Sequence, residues 1–435
     1  MPNPKITYIG AGSSVFAARV ITDLVATPGL DGGTFALVDL DAERLDLSRR
    51  ITEKVVKVSG KDWEVQTSTD REELLPGTDY LINSIEVAGL ACVEPDYEIP
   101  LKYGVDQCIG DTIGPGGIFK ALRTGPDWLA IVADTQRLAP AAVVMNYTNP
   151  MSILTLAADR TTDLSVVGLC HSVQGTSRLL AGFLDVPYEE LEWRCAGINH
   201  NAWFTKLAHD GQDLYPRLRE LAVDPDFYEQ EPVRFEAMLH LGAFVTESSG
   251  HFSEYVPYFR KRRDLLEKYT RPGYLGESGF YAHNWPYWRE ASARHVREML
   301  HGDVPLEIDR GHEYASYIVE AIELDRPLEI YGNVSNGGLI ENLPPGCVEV
   351  ACRVDGQGLH PCQFGPLPEQ LAALNRSHMA VHELVVQALL ERDRDKAKLA
   401  LMLDPLTAAV CSLEEISQLF DEMWAAERPY LAAFE

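Results

Sequence analysis

A thiol and an imidazole stand thirty residues apart in the chain, each just after an apolar run. Cys170 lies in VVGLCHSVQGT, and His200 ends CAGINH. The carboxyl ends of parallel strands meet at one edge of a sheet, where ligands bind in this class of fold. Thiolate sulfur and imidazole nitrogen suit zinc, cobalt or iron better than manganese. The pair therefore predicts a metal site with open positions for substrate hydroxyls, although either residue alone is more typical of a packed interior.

The segment KITYIGAGSS predicts a strand, a phosphate-binding turn and the start of a helix. In the turn from Gly10 to Ser13, Gly10 permits a sharp bend and Gly12 lets the backbone approach a pyrophosphate. Asp39 ends the second apolar run, where a carboxylate accepts hydrogen bonds from a ribose and favours NAD over NADP. Val15 stands at the third glycine position, so the motif is incomplete. A purely structural turn between strand and helix is the alternative.

Further segments carry polar groups suited to a sugar substrate. Asn149, in NYTNPMS, follows a predicted strand and either contacts a hydroxyl or caps the next helix. His171 adjoins Cys170 and is placed to donate a proton. The run HFSEYVPYF offers Glu254, Tyr255 and Tyr258 as acid–base groups, although an aromatic core segment would have the same composition. The glycine-rich GDTIGPGGIFKALRT predicts a loop that enters a helix.

Strand-like and helix-like segments alternate through residues 1–190. KITYI, TFALVD, DYLINSI, AAVVMNY and LSVVGLC predict short buried strands, with amphipathic segments between them. This βαβ pattern predicts an α/β fold, a Rossmann-type parallel sheet covered by helices on both faces that binds NAD. The alternation breaks in residues 191–435, which predict an α+β domain for catalysis, substrate binding and oligomerisation. We expect a cleft between the two domains.

The composition excludes several classes of function. The 435 residues suffice for two domains, and the 46% apolar content is that of an ordinary globular protein. A net charge of -27 argues against nucleic-acid binding, which needs clustered Lys and Arg. No stretch approaches the roughly 18 apolar residues of a membrane span. With no recognisable signal peptide and eight cysteines that form no CxxC pair, we expect a cytoplasmic protein with reduced thiols.

Taken together and in order, the motifs resemble glycoside hydrolase family 4. This family comprises NAD- and metal-dependent glycosidases related to lactate and malate dehydrogenases. The resemblance covers nearly the whole chain and rests on KITYIGAGS, GDTIGPGGIFKALRT, NYTNPMS, GLCHSVQGT, CAGINH, TESSGHFSEY, YGNVSNGGLIENLP and VEVAC. A GAGS turn without the third glycine is usual in that family. CHSV after the strand is most similar to the α-galactosidase branch.

The resemblance implies catalytic roles at the matching positions. Cys170 and His200 would hold a divalent cation, usually Mn²⁺, despite the preference of soft ligands for other metals. His171 would protonate the leaving group. Tyr255 would remove the proton at C2 of the sugar, with Tyr258 as the fallback for that role.

The resemblance also implies the binding residues and the reaction. Asn149 and Asn199 would contact the sugar of a small-molecule glycoside. Hydride would pass from C3 to NAD, the C2 proton would leave, the aglycone would be eliminated, and water would add before the hydride returns, so the net chemistry is hydrolysis. By analogy alone we expect a homodimer or homotetramer. The turn and strand-end residues that would bind NAD are Gly10, Gly12, Ser13 and Asp39.

Other interpretations stay open at the level of sequence. An α-glucosidase or an α-uronidase of the same family is an alternative to an α-galactosidase. A uronidase would need a cation for the sugar carboxylate, and no sequence feature places one. A plain NAD-dependent dehydrogenase of a sugar or hydroxy acid would release NADH. A non-catalytic NAD sensor is disfavoured because it has no use for Cys170, His171 and His200 together.

Overall fold

The computed structural model describes residues 3–435 except for the side chains of residues 14 and 15, so Val15 lies outside the described side chains. Thirteen strands form one sheet. They are β1 (Lys5–Ile9), β2 (Gly32–Val38), β3 (Asp62–Ser68), β4 (Tyr80–Asn83), β5 (Val143–Asn146), β6 (Ser165–Gly168), β7 (Glu192–Ile198), β8 (Asn201–His209), β9 (Gln212–Asp213), β10 (Phe244–Val245), β11 (Leu328–Ser335), β12 (Cys347–Asp355) and β13 (Gly358–Pro361).

The first half of the sheet is parallel, in the spatial order β3–β2–β1–β4–β5–β6. Ile6 of β1 pairs with Phe35 of β2 on one side and with Tyr80 of β4 on the other. These strands are short and almost wholly apolar because helices cover both faces of a parallel sheet. The predicted Rossmann-type sheet is therefore confirmed, with β3 as an additional edge strand.

The second half of the sheet is antiparallel and continues from the first. From β6 the order runs β11–β12–β7–β8–β10, while β13 pairs with β12 and β9 with β8. The junction is a pairing of Asn333 in β11 with Gly168 in β6. The residues on either side of the predicted boundary at residue 190 thus share one sheet, and the strands from both sides carry the site described below.

Helices cover the faces of the sheet. A helix of 18 residues, α2, shows how they begin and end: Asp41 accepts bonds from two backbone N–H groups of its first turn, and Gly60 ends it in the left-handed conformation. In the part of the chain that the structure describes, no helix has the length and apolar character needed to cross a bilayer. The helices are α1 (Ser14–Ala26), α2 (Ala42–Ser59), α3 (Arg71–Leu74), α4 (Leu90–Lys102), α5 (Gly114–Leu138), α6 (Met151–Thr161), α7 (Ser172–Leu184), α8 (Tyr215–Leu221), α9 (Pro225–Tyr228), α10 (Pro232–Leu241), α11 (Ser249–Tyr255), α12 (Arg263–Tyr269), α13 (Phe280–His301), α14 (Tyr314–Leu324), α15 (Glu369–Glu391), α16 (Arg394–Leu403), α17 (Pro405–Val410) and α18 (Leu413–Glu427).

Candidate active site

Three potential metal ligands converge beyond the ends of three strands. Cys170 follows β6, His200 lies in the turn between β7 and β8, and Glu247 follows β10. The Sγ atom of Cys170 lies 3.1 Å from Nε2 of His200, which lies 3.4 Å from Oε2 of Glu247. All three ligand atoms lie within 4.8 Å of one another. The structure therefore brings the predicted pair together and adds a carboxylate that the sequence analysis did not single out.

A tight turn positions His200. Ile198 of β7 pairs directly with Asn201 of β8, so only two residues connect the strands. Two-residue hairpin turns need positive φ angles, and His200 has a φ of 62°. Histidine tolerates this left-handed region better than most residues do. The short turn holds the imidazole beside Cys170 and leaves it little freedom to move away.

The charges of the cluster are coupled. Burial opposes ionisation of the Cys170 thiol, but the neighbouring His200 outweighs burial and lowers the thiol pKa to about 7. Burial likewise disfavours the imidazolium of His200, but Cys170 and Glu247 raise its pKa to about 10. The pKa of His251 falls to about 4, because burial and the charge of His200 both disfavour its protonated form. A divalent cation would displace the proton shared by Cys170 and His200, since thiolate and neutral imidazole are the ligating forms.

An open cavity of about 630 Å³ adjoins the cluster, and Asp111 and Asn149 line it. Asn149 Nδ2 donates to Oδ2 of Asp111 at 3.3 Å, and Lys120 Nζ lies 3.4 Å from the same oxygen. Burial opposes the charge of Asp111, but Lys120 outweighs burial and holds the pKa of this carboxyl well below its usual range. Asn149 does not cap α6, since Pro150 occupies the cap position. The predicted sugar contact at Asn149 therefore faces the cavity.

His171 lines the same cavity and forms an ion pair with Glu313, which lies outside the cavity lining. Its Nε2 atom lies 2.7 Å from Oε2 of Glu313, a carboxylate that is only 3% exposed. The hydrogen bond to Glu313 raises the pKa of His171, with burial acting in the opposite direction. Glu313 is held in turn by Arg19, at 3.9 Å, and by a backbone hydrogen bond to Asp23. The imidazole is thus oriented by a fixed carboxylate, which favours the protonated form that a general acid needs.

The structure separates the two tyrosines proposed as the base. Tyr255 ends α11 and is buried, and its ring centroid lies 6.4 Å from that of His200. Its hydroxyl has no hydrogen-bond partner among the described residues. Tyr258 is 46% exposed and lies outside the cavity. Tyr255 is therefore buried beside His200, whereas Tyr274 and Tyr281 are the described tyrosines that line the open cavity itself.

Asn199, the second predicted sugar contact, is buried at the tip of the turn that carries His200. Neither its amide oxygen nor its amide nitrogen has a hydrogen-bond partner among the described residues. Asn199 does not belong to the lining of the open cavity. Its contact with a sugar stays a prediction.

A second cavity, of about 680 Å³, lies at the ends of β1 and β2 and is lined by Gly10, Gly12, Ser13 and Asp39. Gly10 has a φ of 84°, and a Cβ there would lie 2.6 Å from the backbone oxygen of Ser84. A Cβ at Gly12 would lie 2.6 Å from Oδ2 of Asp39, which accepts a hydrogen bond from Gly12 N at 2.7 Å. Both glycines are therefore required, and the four predicted cofactor-binding residues meet in one cavity.

The two cavities adjoin through a buried lysine. Lys120 Nζ lies 3.1 Å from Glu86, which lines the second cavity, and 3.4 Å from Asp111, which lines the first. A dinucleotide in one cavity and a substrate in the other would therefore be neighbours. Besides hydride transfer, the arrangement would support a reaction in which a metal ion acts as a Lewis acid and His171 acts as a neighbouring proton donor.

The residues present fit both groups that the sequence analysis expected. The glycine cradle at the start of α1 fits a dinucleotide pyrophosphate. The cluster offers sulfur, nitrogen and oxygen ligands and so fits a divalent transition-metal ion. The prediction that soft metals would be preferred assumed two protein ligands. Glu247 adds a hard carboxylate oxygen, which makes the site more suitable for Mn²⁺.

This combination of a Rossmann-type sheet, a dinucleotide cavity and an adjoining metal cluster is found in a class of glycosidases. Residues 5–186 match the family 4 glycosyl hydrolase model, and residues 195–407 match its C-terminal domain model. The chain belongs to glycosyl hydrolase family 4. It is 39% identical to an α-galactosidase of Bacillus subtilis, over 99% of this chain and 100% of that protein. It is 36% identical to an α-galactosidase of Rhizobium meliloti, over 100% of this chain and 90% of that protein.

Solved structures confirm the fold class. A 6-phospho-α-glucosidase from gut microorganisms, crystallised in complex with NAD and Mn²⁺, superposes with a TM-score of 0.81 at 21% identity, over 99% of each chain. Malate dehydrogenase from Plasmodium falciparum superposes with a TM-score of 0.53 at 13% identity, over 89% of this chain and 99% of that one. The predicted likeness to malate dehydrogenase is therefore confirmed at the level of fold.

Several residues of the site were not singled out from the sequence. Glu247 and His251 lie within TESSGHFSEY, and Asp111 lies within GDTIGPGG, so all three were present in motifs that pointed to the family. A search of those motifs for metal-ligating or charged groups would have found them. Glu313 lies 142 residues from its partner His171, and no local pattern marks it.

Proposed function

We propose that the protein is an α-galactosidase that depends on NAD and on Mn²⁺ or another divalent cation. The observation that carries the proposal is the cluster of Cys170, His200 and Glu247, which opens onto the cavity lined by His171 and Asn149. A hydrolase that worked through two carboxylates alone would need neither this cluster nor the adjoining glycine cradle.

The chain's own residues divide the chemistry. When bound, NAD supplies a hydride acceptor for C3 of the sugar, and the divalent cation supplies polarisation of the oxygen on C3. Asn149 holds a sugar hydroxyl at the cavity wall. Tyr255 removes the proton from C2, and His171, oriented by Glu313, donates a proton to the oxygen that leaves C1. Water then adds at C1 as a proton returns to C2, and the hydride returns to C3, so the net reaction is hydrolysis.

The electrostatics of Tyr255 tie its role as a base to the metal site. Burial, followed by the carboxylates of Glu247 and Asp111, raises the pKa of the Tyr255 hydroxyl well above 10. A tyrosine in that state does not accept a proton at neutral pH. A divalent cation ligated by Cys170 and His200 would act in the opposite direction, because nearby positive charge stabilises a phenolate. These charges support a base that would work only in the metal-loaded protein.

The cavity supports a neutral sugar over a uronic acid. Arg234 is the single Lys or Arg among the described residues that line it. The Arg234 guanidinium is already engaged: it donates to the backbone oxygen of Val245 and to the hydroxyl of Thr176, and it lies 3.1 Å from Glu231. A sugar carboxylate would therefore compete with existing partners for this cation.

The relatives add support for the galactoside. Both α-galactosidases align over almost the full length of this chain at 36% to 39% identity. An α-glucosidase of Erwinia rhapontici is 29% identical over 98% of this chain, so a glucoside is the second candidate sugar. A plain dehydrogenase is the second candidate reaction, because the same NAD and metal sites would serve it.

The experiment is a panel of 4-nitrophenyl glycosides assayed with NAD⁺, Mn²⁺ and a thiol reductant, each omitted in turn. We expect hydrolysis of the α-galactoside in the complete mixture, with little or none of the α-glucoside or α-galacturonide. Omission of either cofactor should abolish activity. Stoichiometric NADH release without sugar release would instead identify a dehydrogenase.

A solvent-isotope experiment tests the elimination step separately. Hydrolysis in D₂O should yield galactose that carries deuterium at C2, because the proton that Tyr255 removes exchanges with solvent. Direct displacement at C1 leaves the C2–H bond intact. Unlabelled product from verified NAD-free protein would point to a two-carboxylate mechanism, for which Asp111 and Glu247 are the carboxylates that line the cavity.

A further inference from the structure

Helix α13 spans the dinucleotide cavity and is anchored at both ends. Near its N-terminus, the backbone N–H of Tyr281 donates to the carbonyl of Cys108 at 3.0 Å. At its C-terminus, Lys54 of α2 donates to the carbonyls of Met299 and Leu300. The helix packs against α1 and α2, which contribute residues to the lining of the cavity, and against α4. It therefore forms a fixed wall opposite the glycine turn.

The wall formed by α13 contributes two arginines to the cavity, Arg289 and Arg297. Arg289 of α13 lines the dinucleotide cavity, as does Arg44 of α2. Among the described residues, the Arg289 guanidinium has no hydrogen-bond partner, and no carboxylate oxygen lies within 4.0 Å of it. Burial and the like charge of Arg44 both disfavour its charged form and lower the pKa of Arg289. Arg297 is exposed, whereas Arg289 is half-buried, so an anion bound in the cavity would offset the cost of burying the Arg289 charge.

We propose that Arg289 binds the pyrophosphate of the dinucleotide, as a clamp across the cavity from the glycine turn. The inference rests on the proposed function, which places NAD in this cavity, and adds a residue of α13 to its site. A guanidinium can donate two parallel hydrogen bonds to phosphate oxygens. Arg289 would therefore bind the pyrophosphate from one side while the backbone N–H groups at the start of α1 bind it from the other. The anion would also separate the like charges of Arg289 and Arg44.

The position of Arg289 supports a contact with the pyrophosphate, and the NADP⁺ arm of the test below distinguishes this contact from one with a ribose 2′-phosphate. A Cβ at Gly89, which follows β4, would lie 2.6 Å from Nη1 of Arg289, so the guanidinium rests against the loop after β4. Asp39, which faces the ribose, follows β2. In the sheet β4 and β2 lie on opposite sides of β1. The Gly10–Gly12 turn after β1 lies between them. Arg289 contacts the β4 side and is also close enough to Asp39 and Asp41 on the β2 side for their charges to affect its pKa, which is consistent with a position over the turn that would hold the phosphates.

The test measures cofactor binding directly, without turnover. Binding of NAD⁺, NADP⁺ and adenosine to wild type, Arg289→Ala and Arg289→Lys is followed by calorimetry. Quenching of Trp285 and Trp288, which line the cavity, gives a second readout. We expect Arg289→Ala to weaken NAD⁺ and NADP⁺ binding by about tenfold each, to leave adenosine binding unchanged, and to reduce the dependence of NAD⁺ affinity on salt. Arg289→Lys should restore part of the loss.

The matched control is Arg294→Ala, which removes an exposed arginine of the same helix that lies outside the cavity. It should bind NAD⁺ like wild type. Unchanged NAD⁺ affinity in Arg289→Ala would overturn the clamp, as would an equal loss for adenosine, which lacks phosphate. Loss confined to NADP⁺ would overturn it in favour of a 2′-phosphate contact. Wild-type protein that binds no NAD⁺ would instead refute the proposed function itself.

Discussion

Glu313→Gln tests the charge that orients His171, the histidine that we propose as the general acid. The substitution keeps the shape of the side chain but replaces a charge-assisted hydrogen bond to His171 with a neutral one. A hydrogen bond to a charged group contributes about 1.5–3 kcal/mol and a neutral one about 0.5–1.5 kcal/mol. Because the His171 side chain is 56% exposed, solvent screens the interaction and the lower end of the difference applies. We therefore expect a loss of about 1 kcal/mol, or roughly fivefold in rate.

The loss should depend on pH and on the leaving group. Glu313 raises the pKa of His171, so the acid form of His171 is present below that pKa and is lost as the pH rises through it. Glu313→Gln removes this effect, and the alkaline limb of kcat/KM should move to lower pH. The assay compares methyl α-galactoside, whose alcohol leaves poorly, with 4-nitrophenyl α-galactoside, whose phenol needs little protonation. We expect the fivefold loss with the methyl glycoside and almost none with the nitrophenyl glycoside.

The control is Glu323→Gln, in helix α14, which begins directly after Glu313; the Glu323 carboxylate accepts a hydrogen bond from Tyr80 and lies outside the cavity lining. This variant should match wild type with both substrates. Equal losses of Glu313→Gln on the two substrates would show a general structural role instead. An alkaline limb that stays in place would show that Glu313 does not set the protonation of His171.

Three further outcomes follow from the site. Cys170→Ser and Glu247→Gln should each lower Mn²⁺ affinity by at least tenfold, measured by metal content after dialysis; a full metal complement in both would refute the ligand assignment. Asp39→Ala should weaken NAD⁺ binding by about tenfold in calorimetry, since it removes both a ribose contact and the support of Gly12; wild-type affinity would remove Asp39 from the cofactor site. Tyr255→Phe should abolish deuterium incorporation at C2 in D₂O while NAD⁺ still binds, and persistent labelling would assign the base elsewhere.

The parts of the fold and site that follow from local pattern could be predicted from sequence. The parallel strands alternate with amphipathic helices, and the residues that follow them, such as Asp39, Asn149 and Cys170, could be assigned to one edge of the sheet. The Cys170–His200 pair could be proposed because both follow apolar runs. The sequence left two roles open for Asn149, a sugar contact or a helix cap. The observed hydrogen bond to Asp111 and the presence of Pro150 at the cap position of α6 distinguish between them.

The remaining features depend on tertiary contacts that no local pattern encodes. Glu247 follows a strand of only two residues, too short to produce a periodic signal. Tyr255 and Tyr258 differ by three positions in an aromatic run, and packing against His200 decides which of them is buried. The lack of a counterion at Arg289 among the described residues also could not be predicted from the sequence, because it depends on which helix lines the cavity. Ion pairs between side chains that lie far apart in the sequence therefore could not be predicted from the sequence alone.

The pairing of β6 with β11 has a consequence for how the chain is made. Asn333 of β11 donates to the carbonyl of Gly168 in β6, and the two lie 165 residues apart. A ribosome completes β6 long before β11 exists, so the outer edge of β6 has no partner strand during that interval. Unpaired strand edges promote association between incomplete chains. We expect a fragment of residues 1–190 to aggregate on expression and a separately supplied fragment of residues 191–435 to rescue its solubility, because that fragment brings the missing strand.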